Sequence, residues 1–148
     1  MSKVHALYHI VFSTKQREFT LTDHYLEDVY RFIWAQLREC GCPLYRIGGI
    51  GNHLHLLINL PSTARLSDIV RNIKANTSSW LMRDPRFPDF RGWSREYYAM
   101  TVSPQLKDVV VNYISNQRQH HSGRDLCSEM MEMCGEAGFV YDSRDMNE

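Results

Sequence analysis

One stretch constrains this chain more than any other: residues 51–61, Gly-Asn-His-Leu-His-Leu-Leu-Ile-Asn-Leu-Pro. Its Leu and Ile content and the closing Pro61 predict a buried strand. Side chains alternate faces along a strand, so His53 and His55 share one face while Leu54 takes the other. Two imidazoles about 7 Å apart by strand rise can bite one metal ion. The plainer alternative is a hydrogen-bonded histidine pair with no ligand. On either reading, two polar rings on a buried face must find partners.

The remaining elements assemble around that strand. Residues 4–14 are β-branched and aromatic and predict a first strand, with Lys15, Gln16 and Arg17 as a polar turn after it. Thr22 predicts a helix N-cap, with Asp23 in the first turn and Leu21 and Leu26 as a hydrophobic staple. Tyr25, Leu26, Val29, Ile33 and Leu37 then recur at helical spacing to about Glu39, and Gly41 and Pro43 end the helix. Leu44 to Ile50 predicts a second strand, and Gly48, Gly49 and Gly51 predict the hairpin turn into the histidine strand. No helix N-terminus follows these glycines, so they do not form a phosphate-cradling loop. Ser67 and Asp68 open a second helix to about Arg83, with Ile69, Val70, Ile73, Thr77, Trp80 and Leu81 as its apolar stripe. Arg71, Lys74 and Asn76 lie off that stripe.

Residues 96–102 predict a fourth strand, and Ser103 followed by Pro104 predicts a helix start. This third helix runs to about His121, with Gly123 as its stop and Leu106, Val110, Tyr113 and Gln117 as its sheet-facing stripe. The order β-α-β-β-α-β-α implies an α+β fold, a ferredoxin-like antiparallel sheet with helices packed on it. Residues 1–121 form the expected domain and residues 122–148 an acidic tail with weak helical signals at Met130, Met131 and Met133.

A chain of 148 residues, 43% apolar and 23% charged, suits one globular domain with a real core. No apolar run reaches transmembrane length and no signal-peptide pattern opens the chain, so a cytoplasmic protein with no membrane partner is expected. Cys40 and Cys42 are too close for zinc spacing and Cys127 and Cys134 too distant, which leaves reduced thiols. The net charge of zero conceals an asymmetry. Residues 122–148 hold two arginines against seven carboxylates, so the tail carries −5 and the body +5. A basic body suggests a polyanion partner, and a solvated surface beside an ordinary tail is the alternative. The loop from Asp84 onward interleaves Arg86, Arg91 and Arg95 with Phe87, Phe90 and Trp93. That mixture suits unpaired bases and phosphates, and a packed loop with solvated arginines uses the same residues.

Four side chains then call for one explanation: His53, His55, Tyr113 and Gln117. Tyr113 and Gln117 are one helical turn apart and face the sheet together, and a buried glutamine needs a partner. A metal held by two imidazoles and the Gln117 carbonyl could stabilise charge on a phosphodiester. Tyr113 could then attack phosphorus, although a free phenol, with a pKa near ~10, is a poor nucleophile without help.

His-hydrophobe-His on a core strand, followed by Tyr-x-x-x-Gln on a later helix, resembles the HUH single-tyrosine transposases of bacterial insertion sequences (insertion sequence 200/605 type) and their REP-associated relatives. The resemblance extends to residues 8–15 (Tyr-His-Ile-Val-Phe-Ser-Thr-Lys), 53–61, 67–70 and 78–81, and to Tyr97-Tyr98 leading to Thr101-Val102, and covers roughly residues 4–121. It implies that His53, His55 and Gln117 are metal ligands and Tyr113 is the nucleophile. It implies Mg²⁺ or Mn²⁺, single-stranded DNA carrying subterminal hairpins, and cleavage to a 5′-phosphotyrosine and a free 3′-hydroxyl. It also implies a homodimer, often with the histidines of one subunit serving the tyrosine helix of the other. Imidazole is softer than Mg²⁺ prefers, so Mn²⁺ is expected to support activity better. Lys15, Arg17, Lys74, Arg86, Arg91 and Arg95 are the expected DNA contacts.

Three rivals are weaker. A histidine-triad hydrolase needs a third histidine at the next alternate position, which here is Leu57. HUH replication initiators are generally larger. A non-catalytic regulator binding nucleic-acid hairpins would retain the fold, yet all four site residues are present here.

Overall fold

The computed structural model describes residues 2–117 together with Ser128, Glu129 and Glu132. Four strands form one antiparallel sheet: β1 (Leu7–Ser13), β2 (Leu44–Ile50), β3 (His53–Asn59) and β4 (Tyr98–Val102), in the spatial order β2-β3-β1-β4. Between residues 2 and 117 three α-helices accompany the sheet, α1 (Leu26–Glu39), α2 (Leu66–Arg83) and α3 (Lys107–Ser115). The chain is therefore α+β with the ferredoxin-like strand order. No helix among the described residues is long and apolar enough to cross a membrane.

Register decides which residues meet. β1 pairs with β3 so that His9 lies opposite Leu57, Val11 opposite His55 and Ser13 opposite His53. Directly paired residues share a face, so Leu7, His9, Val11 and Ser13 lie on the same side of the sheet as His53, His55 and Leu57. The other side presents Ile10, Phe12, Leu54, Leu56 and Ile58 to α1 and α2, where Val29, Ile33, Leu37, Val70 and Leu81 close the main core. The histidine side is covered by α3 through Ile114, which packs on Leu7 and Leu57. Burying a Leu or Ile side chain contributes roughly 1.5–3 kcal/mol, so these three residues supply on the order of 5–9 kcal/mol. The α1–α2 side, with many more such residues, carries most of the stability, and α3 is the more lightly fastened layer.

Gly48 lets α3 settle onto β2. It lies opposite His55 in the β2–β3 ladder, and a Cβ there would sit 2.4 Å from the Ile114 carbonyl oxygen. A Cβ on Gly49 would sit 2.2 Å from the His53 carbonyl oxygen. Both glycines are thus strand residues needed for close approach, not turn residues as their spacing suggests, and the turn itself falls at Gly51 and Asn52.

Several element ends also differ from expectation. Thr22 does not cap α1: residues Asp23–Tyr25 form a 3₁₀ turn first, and the Thr22 hydroxyl donates to the Arg86 carbonyl at 2.6 Å. α2 begins at Leu66 with Arg65 at the cap position, one residue ahead of Ser67. β1 starts at Leu7 and β4 at Tyr98, each later than composition suggests. Ser103 and Pro104 do open the third helical segment, but as a 3₁₀ turn over Pro104–Leu106. That tighter winding throws Leu106 off the stripe projected back from Val110, leaving it 53% exposed, while Ile114 is fully buried. The expected helix end near His121, the Gly123 stop and the methionine-rich signals of the tail lie outside the described residues.

Gly48→Ala tests how α3 is held. It is expected to lower stability by about 1–3 kcal/mol, read as a shift of the urea midpoint at constant m-value. An unshifted midpoint would show that α3 does not need this approach.

Candidate active site

The site is built outward from β3. His53 and His55 are both fully buried, with ring centroids 5.1 Å apart. Asn52, at the hairpin turn, places Oδ1 2.8 Å from His53 Nδ1 and donates Nδ2 to the Arg17 carbonyl at 3.3 Å. Because Nδ2 is used on Arg17, the atom facing His53 is an acceptor, so the proton sits on His53 Nδ1 and Nε2 is left with a lone pair. The Arg17 carbonyl is presented by a turn in which Gln16 and Arg17 both take left-handed backbone angles, φ 56° and 55°. Such consecutive non-glycine residues are costly, and the turn persists where Thr14, Glu18 and Asn52 bond across it.

On the other side of the ring pair, His55 Nδ1 lies 2.8 Å from Nε2 of His9, a β1 residue on the same face. Burial, and secondarily the neighbouring His55, hold the His9 imidazolium well below its ordinary range, so His9 is neutral.

α3 brings in the second half of the site. The Tyr113 ring lies 5.6 Å from the His55 ring and 6.0 Å from His9, edge-on to both. Gln117 is buried two residues past the end of α3, and its Nε2 donates to the Tyr113 carbonyl at 3.3 Å. That bond turns Oε1 toward His53 Nε2, at 3.2 Å. Glu129, 3% exposed, completes the cluster: it accepts a hydrogen bond from the Tyr113 hydroxyl and places Oε1 3.1 Å from His55 Nε2. Burial first, and then Glu132, push its carboxyl up to about 8.

This donor set fits a cation. The lone pair of His53 Nε2 faces the Gln117 carbonyl oxygen, two acceptors at 3.2 Å, which is favourable only with a proton or a cation between them. Ligand atoms of His53, His55 and Glu129 all lie within 4.8 Å of one another. Nitrogen and carboxylate oxygen donors gathered this closely are the kind that would hold one divalent ion. A bound cation would also reverse the raised carboxyl of Glu129 by favouring its charged form.

The structure thus brings His53, His55, Tyr113 and Gln117 together in one chain and adds three residues that sequence reasoning did not single out: His9, Asn52 and Glu129. His9 could have been found by pairing β1 with β3 so that its polar residue fell on the histidine face. Glu129 carried no local signal, since it sits among the carboxylates of an acidic segment.

The basic residues expected to touch DNA are placed differently from one another. Lys15 and Arg95 are exposed and Arg17 is half-buried beside Asn52. Lys74 is partly buried, its ammonium donating to the carbonyls of Ser94 at 2.6 Å and Arg95 at 3.0 Å, and burial lowers its pKa. Arg86 clamps the loop by pairing with Asp84 and Asp28 and stacking over Tyr25 at 5.0 Å. Arg91 pairs with Glu18.

Residues 2–117 match the family described as transposase IS200 like. Two solved structures share the fold. One is a protein of Deinococcus radiodurans R1 described as a transposase, 22% identical, with a TM-score of 0.58, covering 79% of this chain and 95% of that one. The other is a REP-associated tyrosine transposase bound to a REP hairpin, 15% identical, with a TM-score of 0.63, covering 82% of this chain and 74% of that one. A comparison with curated proteins returns no match.

Asn52→Leu is expected to strand the His53 Nδ1 proton and the Arg17 carbonyl together and to cost about 1–3 kcal/mol per unmet group. Thermal unfolding without added metal measures this, and an unchanged midpoint would show that water replaces both bonds.

Proposed function

We propose that this chain, which belongs to the IS200-like transposase family, is a single-tyrosine DNA strand transferase acting on single-stranded DNA at hairpin-bearing ends. The observation that carries this reading is the meeting of Tyr113 with His53, His55, Gln117 and Glu129 within one chain. Tyr113 Oη forms a bond to phosphorus and the bond from phosphorus to the 3′ oxygen breaks, leaving a 5′-phosphotyrosine and a free 3′-hydroxyl. The proton lost by Tyr113 is matched by the one the 3′ oxygen gains. One phosphodiester replaces another, so the reverse attack rejoins strands without ATP.

The phenol needs help because its ordinary pKa is near ~10. The carboxyl group of Glu129 accepts its hydrogen bond, and in its ionised form, which a bound cation would favour, it could take the proton. His53 and His55 through Nε2, with Gln117 and Glu129 through oxygen, would hold a divalent cation, Mg²⁺ or Mn²⁺, and their two imidazoles favour Mn²⁺. Bound there, the cation supplies Lewis-acid stabilisation of charge on the phosphoryl oxygens.

The hairpin held by the REP-associated transposase of similar fold supports a hairpin-bearing substrate. The excess positive charge of residues 1–121 supports the same class of partner. Lys15, Arg17 and Arg95 are the proposed phosphate contacts, with Lys74, Arg86 and Arg91 shaping the loop beside them. A homodimer is compatible with this reading, but the tyrosine and the histidines of one chain already meet, which supports a site completed in cis.

A denaturing gel of the protein with Mn²⁺ and hairpin-bearing single-stranded DNA from its genomic flanks tests the chemistry. A DNA-linked band is expected for wild type and none for Tyr113→Phe, His53→Ala or His55→Ala. Tight hairpin binding with no band in wild type would replace the transferase by a hairpin-binding regulator. Mixing His53→Ala with Tyr113→Phe protein is expected to restore no cleavage, and restored cleavage would show that the site is shared between subunits.

A further inference from the structure

We infer that His9 is a positioning residue for the metal site: its Nε2 accepts the Nδ1 proton of His55 and so directs the His55 Nε2 lone pair at the ligand cluster. The inference rests on the proposed metal-binding role of His53 and His55.

A neutral imidazole carries one proton and one lone pair, and which nitrogen can bind a metal is set by the bond the other nitrogen makes. For His53 that choice is made by Asn52, whose Oδ1 can only accept and lies 2.8 Å from Nδ1. His55 needs the same service from another residue. The group at its Nδ1 is His9 Nε2, also at 2.8 Å. One atom of that pair must donate. If His9 donated, the His55 proton would sit on Nε2, 3.1 Å from the Glu129 carboxylate and pointing into the cluster where a ligand lone pair is required. If His55 donates, both β3 histidines present bare Nε2 atoms to Gln117 and Glu129, and the two rings become equivalent ligands.

The placement of His9 is built into the sheet. It lies on β1 opposite Leu57, two pairs along from the Val11–His55 pair and so on the same face, and is 6% exposed. Its ring tilts 33° from that of His55, with centroids 5.1 Å apart, and meets Tyr113 edge-on. A buried histidine that touches both a proposed ligand and the proposed nucleophile is poorly explained as filler, since an apolar residue would sit between Leu57 and Met100 without needing a partner. Partners behind ligating histidines are commonly worth about 10–100-fold in metal affinity.

The test uses the full chain without DNA, with Mn²⁺ alone as the probe and free Mn²⁺ read by electron paramagnetic resonance. His9→Leu is expected to weaken Mn²⁺ binding about 10–100-fold, while His9→Gln, whose side-chain oxygen can still accept, stays within about threefold of wild type. His9→Leu binding as tightly as wild type, while His53→Ala binds weakly, would overturn the inference and leave the metal site standing. No Mn²⁺ binding by wild type, or no loss in His53→Ala, would overturn the metal reading and this inference with it. Where His9→Leu fails to fold, long-range proton–nitrogen NMR on Mg²⁺-loaded wild type decides. A bare His9 Nε2 with a protonated His55 Nδ1 supports the inference, and a proton on His9 Nε2 overturns it.

Discussion

Everything at the candidate site depends on β3 being covered on both faces. A histidine on a half-exposed strand can bond to water, whereas His53 and His55 cannot, and burying an unmatched polar group costs several kcal/mol in an apolar medium. Each imidazole must therefore be answered by a fixed neighbour. Asn52 and His9 answer from behind, and Gln117 and Glu129 from the front. A hydrogen-bonded shell of this kind stabilises the fold and orients the ligand atoms with the same contacts.

The two sides of the sheet divide the labour unequally. The α1–α2 side holds a large apolar core that keeps the strands in register, and register in turn sets the spacing of His9, His53 and His55. The α3 side holds a small cluster around Ile114 and carries Tyr113. Gly48 joins the two demands: its missing side chain lets α3 descend onto β2 directly opposite His55, which is where Tyr113 has to arrive. The sheet is thus a rigid platform with a lightly fastened layer above it, and the candidate site lies between the two.

The positive residues differ in how far the fold itself uses them. Arg86, with two carboxylates and an aromatic face, and Lys74, with two carbonyls, fasten the loop after α2 to the body. Lys15 and Arg95 are more exposed. The net neutrality of the chain is the sum of +5 over residues 1–121 and −5 over residues 122–148, and one of the latter carboxylates, Glu129, lies within the candidate site.

Local rules were enough for much of this protein. The period of two along β3 made His53 and His55 neighbours on one face, and the period of 3.6 put Tyr113 and Gln117 one turn apart. Alternating helix and strand patterns likewise implied the ferredoxin-like sheet. All of these follow from backbone geometry within a few residues. The tertiary structure alone decided the rest. Gly48 and Gly49 read as turn glycines because the sequence does not say whether a missing Cβ serves a backbone angle or an approaching helix. Leu106 read as core because a 3₁₀ turn shifts the helical phase without leaving a mark in composition. His9 and Glu129 joined the site only through the pairing of β1 with β3 and the return of a distant segment. Those contacts link residues dozens of positions apart, from His9 to His55 and from His55 to Glu129, and their geometry is set by packing the whole chain, which no local pattern encodes.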